Sequence, residues 1–199
     1  MTSPMKVFID TSELFPFTIM DVLLTLAEDF FFTWVWTDEL LDEWERVIVR
    51  EGQRSAASAR SVTDAVRMHF ASGRLDPAVY RSQVTDDLSP DPDDRVHAAA
   101  CLSHGVAVLL TRNIRHYRCT RLTVNGVRVM TADNYLCELL SVHTAEVVNS
   151  LVKTANARRR PPMTPLELTE RLRVAGTPLF ATRVRDILGG HRGRGEGGA

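Results

Sequence analysis

Two short runs of purely apolar residues constrain the fold of this chain more than any other feature. Residues 7–9 and 106–110 each have the length of a strand that is covered on both faces, and each ends in a polar turn. Further extended segments are predicted at residues 31–36 and 127–130. Between these segments, the spacing of apolar residues and the capping residues predict helices. This alternation of strands and helices predicts an α/β fold with a parallel sheet.

The C-terminal third of the chain has a different pattern. Residues 133–142 and 144–157 are predicted to be helices, residues 158–162 a linker, and a further helix is expected to begin near residue 164. Glycine and arginine dominate residues 189–199, which is typical of a disordered tail. We therefore predict an α/β domain over residues 1–140, a helical extension over residues 141–188 and a tail over residues 189–199.

Charge is segregated along the chain although the net charge is only −1. Residues 1–140 contain 14 basic and 20 acidic side chains, whereas residues 141–199 contain 10 basic and 5 acidic ones. The acidic front part disfavours contact with a phosphate backbone unless cations bridge the charges, and the basic rear segment favours it.

Several classes of protein are excluded by composition and motifs. Three cysteines without a CxxC pair indicate neither a disulfide framework nor a zinc knuckle. The chain has no Walker A loop, GxGxxG fingerprint or GxSxG elbow. No apolar stretch approaches the roughly 18–20 residues that cross a bilayer, and the N-terminus lacks a secretory signal, so we expect a cytoplasmic protein without a membrane partner.

Acidic residues occupy three places where chemistry is expected. Asp10 follows the first strand, and ligands of a parallel α/β sheet bind beyond the carboxyl ends of its strands. Glu43 borders the apolar stripe of the helix that begins near residue 37, and residues 91–94 hold three carboxylates at a helix start. Each also has a structural explanation, as a turn former, a surface ion pair or a helix cap. Together, Asp10, Glu43 and Asp94 offer the oxygen ligands that Mg²⁺ or Mn²⁺ prefers.

Four motifs, taken in order, closely resemble the PIN-domain family. They are Val7-Phe8-Ile9-Asp10-Thr11-Ser12, Leu41-Asp42-Glu43-Trp44, Asp91-Pro92-Asp93-Asp94-Arg95-Val96-His97-Ala98-Ala99-Ala100 and Leu110-Thr111-Arg112-Asn113-Ile114-Arg115-His116-Tyr117. The resemblance covers about residues 5–140 and is closest to the VapC-type ribonuclease toxins of bacterial type II toxin–antitoxin systems. The segment from Arg158 to Leu168 resembles the helical C-terminal extension of some of those proteins.

This resemblance implies a three-layer PIN-like fold, with a central parallel sheet flanked by helices, plus the helical extension. It also implies an endoribonuclease that depends on Mg²⁺ (or Mn²⁺), with the catalytic domain over residues 1–140 and a cognate antitoxin protein as partner. Asp10, Glu43 and Asp94 would be the catalytic and metal-binding acids. Asp93 is the nearest rival to Asp94, which we prefer because three residues separate it from the small-residue run that follows, as in the family.

The chain departs from the family at the fourth acid, which the family places in the turn after the next strand. Asn113 and His116 stand there instead, so the site loses one negative charge. Asn113 can accept a hydrogen bond from water, and His116 can bind Mn²⁺ or a phosphate. The hydroxyls of Thr11, Ser12 and Thr111 are expected to position the acids or to satisfy turn amides, and both readings stay open.

The candidate RNA-binding residues are arginines: Arg112 in the last motif, and Arg158, Arg159 and Arg160 in the rear segment. For the three arginines of the rear segment, a solvated linker is an equally good interpretation. Two other functions stay open. One is a PIN-like protein that binds RNA or a partner without cleaving, favoured by Asn113 and His116, and the other is a structure-specific DNA nuclease. A homodimer also stays open.

Overall fold

The computed structural model describes residues 5–118, 120–159 and 161–192. These residues form four strands, namely β1 (Lys6–Ile9), β2 (Thr33–Val35), β3 (Val108–Leu110) and β4 (Arg128–Met130). All neighbouring strands are parallel and the order across the sheet is β2-β1-β3-β4. The predicted α/β class with a parallel sheet is therefore confirmed.

Helices make up most of the remaining described chain. They are α1 (Thr11–Leu14), α2 (Phe17–Glu28), α3 (Asp38–Arg50), α4 (Ala56–His69), α5 (Pro77–Tyr80), α6 (Pro92–Ser103), α7 (Thr120–Val124), α8 (Ala132–Val142), α9 (Thr144–Ala157), α10 (Pro165–Ala175) and α11 (Pro178–Arg192). A short 3₁₀ helix, Ile114–Tyr117, follows β3. None of the helices in the described ranges is both long enough and apolar enough to cross a membrane.

Local sequence explains where the two helices that frame the acidic residues begin. The Thr37 hydroxyl accepts a hydrogen bond from the Leu40 amide at 3.1 Å and starts α3. Asp91 caps α6 and Pro92 occupies its first position, where the missing amide hydrogen costs nothing. Gly105 then ends α6 in the left-handed region, with φ of 62°.

The first helix differs from the expectation. The polar turn Asp10-Thr11-Ser12 is predicted after the first strand, and the structure has the single-turn helix α1 there instead. The Asp10 side chain accepts from the Ser12 amide at 3.4 Å and so caps this turn. Asp10 thus serves as a helix cap as well as a site candidate.

The chain divides into two compact units. The first comprises the residues up to Phe15 together with Phe30–Thr131, and it contains the whole sheet. The second comprises Pro16–Asp29 and the residues from Ala132 onward, with α2 and α8–α11.

The predicted domain boundaries can be placed on these elements. Residue 140, where the first predicted domain ends, lies within α8. Residues 189–192, assigned to the tail, lie within α11, because a glycine weakens a helix by about 1 kcal/mol but does not clash with it. Residues 193–199 lie outside the described residues, and the division into functional domains stays a prediction.

Candidate active site

Asp10 lies where two neighbouring parallel strands end. Its amide donates to the Leu110 carbonyl at 2.9 Å, which joins the ends of β1 and β3. Its Oδ2 accepts hydrogen bonds from the Ser12 hydroxyl at 2.6 Å and from the Thr111 hydroxyl at 2.8 Å. Thr111 in turn accepts from the Asn113 amide at 3.0 Å. Asp10 is buried, so these hydroxyls fix the orientation of its carboxylate.

Glu43 projects from α3 and meets a buried histidine of α6. The distance between Glu43 Oε2 and His97 Nε2 is 3.2 Å, and His97 is only 1% exposed. Burial raises the pKa of Glu43, but His97, with smaller contributions from Thr11 and Arg46, outweighs it and leaves that pKa below its ordinary value. Glu43 is therefore ionised at neutral pH.

Asp94 is held by both of its oxygens. The Tyr117 hydroxyl donates to Oδ1 at 2.9 Å, and His116 Nδ1 lies 2.8 Å from Oδ2. Burial raises the pKa of Asp94, the bonds from His116 and Tyr117 oppose that rise, and the nearby charges of Asp10 and Asp91 add to it. The net pKa is above the ordinary value, so the surroundings of Asp94 disfavour its ionised form.

A cavity of about 290 Å³ brings these acids together. Six carboxylates and one arginine are among its described lining residues, which are Asp10, Thr11, Ser12, Phe15, Glu43, Val47, Arg50, Glu51, Asp91, Asp93, Asp94 and Asn113. So many like charges around one space repel each other, and a divalent cation with oxygen ligands relieves that repulsion. The donor set fits Mg²⁺ or Mn²⁺.

Most of the predicted site residues therefore lie together. Thr11, Ser12, Asp93 and Asn113 line the cavity, while Thr111 and His116 contact the acids that line it. Asp94 is buried and Asp93 is exposed, as expected if Asp94 is the acid of α6 that acts at the site. The roles assigned to all of these residues stay predictions.

The predicted RNA-binding arginines are placed differently. Arg112 Nε lies 3.2 Å from Oε2 of Glu13, a carboxylate that is 2% exposed, and the Arg112 amide donates to Ser12 Oγ at 3.0 Å. In the second unit, Arg158 forms an ion pair with Asp21, and Arg159 is exposed. Arg160 lies outside the described residues.

Four residues at or near the site have no assigned role in the sequence prediction. Asp91 has an oxygen 3.8 Å from His116 Nδ1. The sequence identified Asp91 only as a candidate helix cap. His97 falls three residues after Asp94, so its position on the same helix face was a usable pattern. Tyr117 and Glu13 gave no such pattern, because only the fold reveals that they are buried.

Comparison with known protein families gives two matches. Residues 6–115 match the family model described as "PIN domain", which covers more than half of the chain. Residues 132–186 match the model described as "VapC50 C-terminal domain". Among curated proteins and solved structures, nothing matches this chain.

Proposed function

This chain belongs to the PIN-domain family, and from that premise we propose that it is a divalent-metal-dependent endoribonuclease that acts as the toxin of a toxin–antitoxin pair. The resemblance to VapC-type proteins with a helical C-terminal extension is confirmed by the two family matches. The single observation that supports cleavage is the cavity in which Asp10, Glu43 and Asp94 converge.

The charge of the cavity explains why a cation is required. Phosphodiesters are anionic, and the six lining carboxylates repel them. A divalent cation bound there would offset that charge and act as a Lewis acid toward the phosphate. Asp10 and Asp94 are the residues that would hold the cation, since both are buried and fixed by hydrogen bonds.

Glu43 has a distinct part in the proposed mechanism. It stays ionised at neutral pH because His97 lowers its pKa, so it can hold the cation or accept a hydrogen bond from the attacking water. Asn113 faces the same cavity and can orient that water through its side-chain oxygen. His97 keeps Glu43 in place through the contact at Nε2.

The toxin role and its partners extend this proposal. The match of residues 132–186 to the VapC50 C-terminal domain supports the assignment to that branch, with a cognate antitoxin protein as the partner. Basic side chains would contact the RNA, with Arg112 beside the cavity and Arg158, Arg159 and Arg160 in the second unit. Arg158 would first have to leave its ion pair with Asp21.

Cleavage of an RNA and single-stranded DNA panel tests the proposal. The antitoxin-free wild type is compared with Asp94→Asn and with Asp64→Asn, which removes one exposed carboxylate of α4, in Mg²⁺, Mn²⁺ or chelator. RNA cleavage that needs metal and survives only in the wild type and Asp64→Asn supports a ribonuclease. The same pattern on DNA indicates a DNA nuclease.

A binding-only protein is the second candidate. The observation that favours it is the His116–Asp94 contact, because an imidazole stands where the family has an acid. Tight RNA binding that is unaffected by chelator, without cleavage in either metal, would establish this alternative and refute the nuclease. Growth inhibition on expression, lost in Asp94→Asn and suppressed by co-expression of a candidate antitoxin, tests the toxin role separately.

A further inference from the structure

His116 and two aspartates form a cluster with a specific geometry. The Nδ1 atom of His116 lies 2.8 Å from Asp94 Oδ2 and 3.8 Å from Asp91 Oδ2. One ligand atom from each of the three residues lies within 4.8 Å of the other two. The cluster is not a set of acids alone, since a ring nitrogen lies within 4 Å of two carboxylate oxygens. The His116 side chain is 26% exposed, so an ion from solvent can reach it.

Each aspartate uses one oxygen for the fold and turns the other toward His116. Asp91 Oδ1 accepts from the Asp93 amide at 3.1 Å as the cap of α6, which leaves Oδ2 facing the ring. Asp94 Oδ1 accepts from the buried Tyr117 hydroxyl, and Oδ2 faces the same nitrogen. The carboxylates are therefore oriented before any ligand binds.

These separations match those around a bound divalent cation. Metal–ligand bonds of about 2.1 Å hold adjacent ligand atoms about 3 Å apart in an octahedral site. The observed 2.8 and 3.8 Å bracket that spacing, so small side-chain shifts bring all three atoms to bonding distance. The cation would take the place of the proton shared by His116 and Asp94.

We infer that Asp91, Asp94 and His116 bind a first-row transition-metal ion such as Mn²⁺ in preference to Mg²⁺. Imidazole nitrogen suits transition metals, whereas Mg²⁺ is a hard cation that favours oxygen and water. This inference rests on the proposed function in that Asp94 belongs to both sites. It adds Asp91 and His116 as ligands and selects the metal.

Metal binding without RNA is the direct test. Mn²⁺ is titrated into the full-length, antitoxin-free protein, free Mn²⁺ is followed by electron paramagnetic resonance, and Mg²⁺ is added as competitor. The variants are His116→Asn, which replaces the ring nitrogen with an amide, and His116→Asp, which supplies a carboxylate. His69→Asp, an exposed histidine of α4, is the control with the same charge change.

We expect Mn²⁺ to bind more tightly than Mg²⁺ in the wild type and in His69→Asp. His116→Asn should weaken Mn²⁺ binding by at least about tenfold, the loss typical even of groups that only support a metal ligand. His116→Asp should reduce the preference for Mn²⁺ over Mg²⁺. Thermal unfolding in chelator identifies any variant that has lost its fold. If His116→Asn does not fold, His116→Asp serves as the test in its place.

Any one of three results would overturn the inference: no preference for Mn²⁺ in the wild type, unchanged Mn²⁺ binding in folded His116→Asn, or an unchanged Mn²⁺ preference in folded His116→Asp. Cleavage assays run in parallel separate this failure from that of the proposed function. Mn²⁺ binding that is indifferent to His116, together with metal-dependent RNA cleavage, refutes the inference and leaves the nuclease intact. Mn²⁺ binding that depends on His116, without cleavage in any metal, supports the inference and refutes the nuclease.

Discussion

Replacing Asp94 by Asn should stabilise the metal-free protein. Burial and the charges of Asp10 and Asp91 raise the pKa of Asp94, so its ionised form destabilises the fold at neutral pH. Asn keeps an oxygen that accepts from Tyr117, and its amide can donate to His116 when the ring carries its proton on Nε2. The substitution therefore removes the unfavourable charge and retains both hydrogen bonds.

We expect Asp94→Asn to increase the free energy of unfolding by about 1 kcal/mol in chelator at pH 7, within the range of about 0.5–2 kcal/mol typical of stabilising substitutions. The gain should shrink as pH falls through the raised pKa of folded Asp94 and disappear below 3.8, the ordinary pKa of the group, because Asp94 is then protonated in both states. Mn²⁺ at 100 times its Kd should stabilise the wild type by about 2.7 kcal/mol. The variant should gain little, so the order of stability reverses.

Urea unfolding at pH 7 and pH 5, with chelator or with Mn²⁺, measures all of these differences. Asp64→Asn is again the control, because its carboxylate is exposed and should leave stability nearly unchanged. If Asp94→Asn were clearly less stable than the wild type in chelator, Asp94 would be a structural anchor for Tyr117 and His116. The interpretation of Asp94 as a strained cation ligand would then be refuted.

Three further predictions concern the neighbours of the site and the second unit. His97→Leu should slow RNA cleavage by at least about tenfold, and His97→Gln, which retains a donor for Glu43, should recover part of the rate in single-turnover assays. Equal rates for the two variants would rule out a positioning role. Arg112→Ala should destabilise the protein by about 1–3 kcal/mol in urea unfolding, because Glu13 stays buried, and adding Glu13→Gln should recover part of that loss. An additive double variant would contradict the pairing. Asp133→Ala removes the acceptor of the first amides of α11 and should lower stability by about 1–2 kcal/mol in thermal unfolding; an unchanged midpoint would refute the cap.

The fold was predictable where short-range patterns determine it. The apolar runs of β1 and β3 can be recognised as strands without knowing which strands they pair with. The capping box of Thr164 and Glu167 marks the start of α10 within four residues. The helix α1 was missed because its cap, Asp10, also satisfies a simple turn.

The site was predictable only in part, because its contacts join distant parts of the chain. Thr111 is 101 residues from Asp10, and His97 is 54 residues from Glu43. The parallel-sheet rule located Asp10 without knowledge of those partners. It could not reveal that Glu13 is buried, because that carboxylate meets its partner Arg112 across 99 residues.

The exchange of an acid for His116 has a physical consequence for the proposed metal site. Losing one negative charge weakens the Coulombic attraction for a cation, and preorganisation offsets part of that loss. Asp91 and Asp94 each have one oxygen tied to the fold, so binding orders fewer side-chain rotamers. The repulsion between these fixed acids remains in the metal-free protein. The same rigidity that favours cation binding therefore lowers metal-free stability, which is why stability in chelator and Mn²⁺ affinity should change in opposite directions in Asp94→Asn.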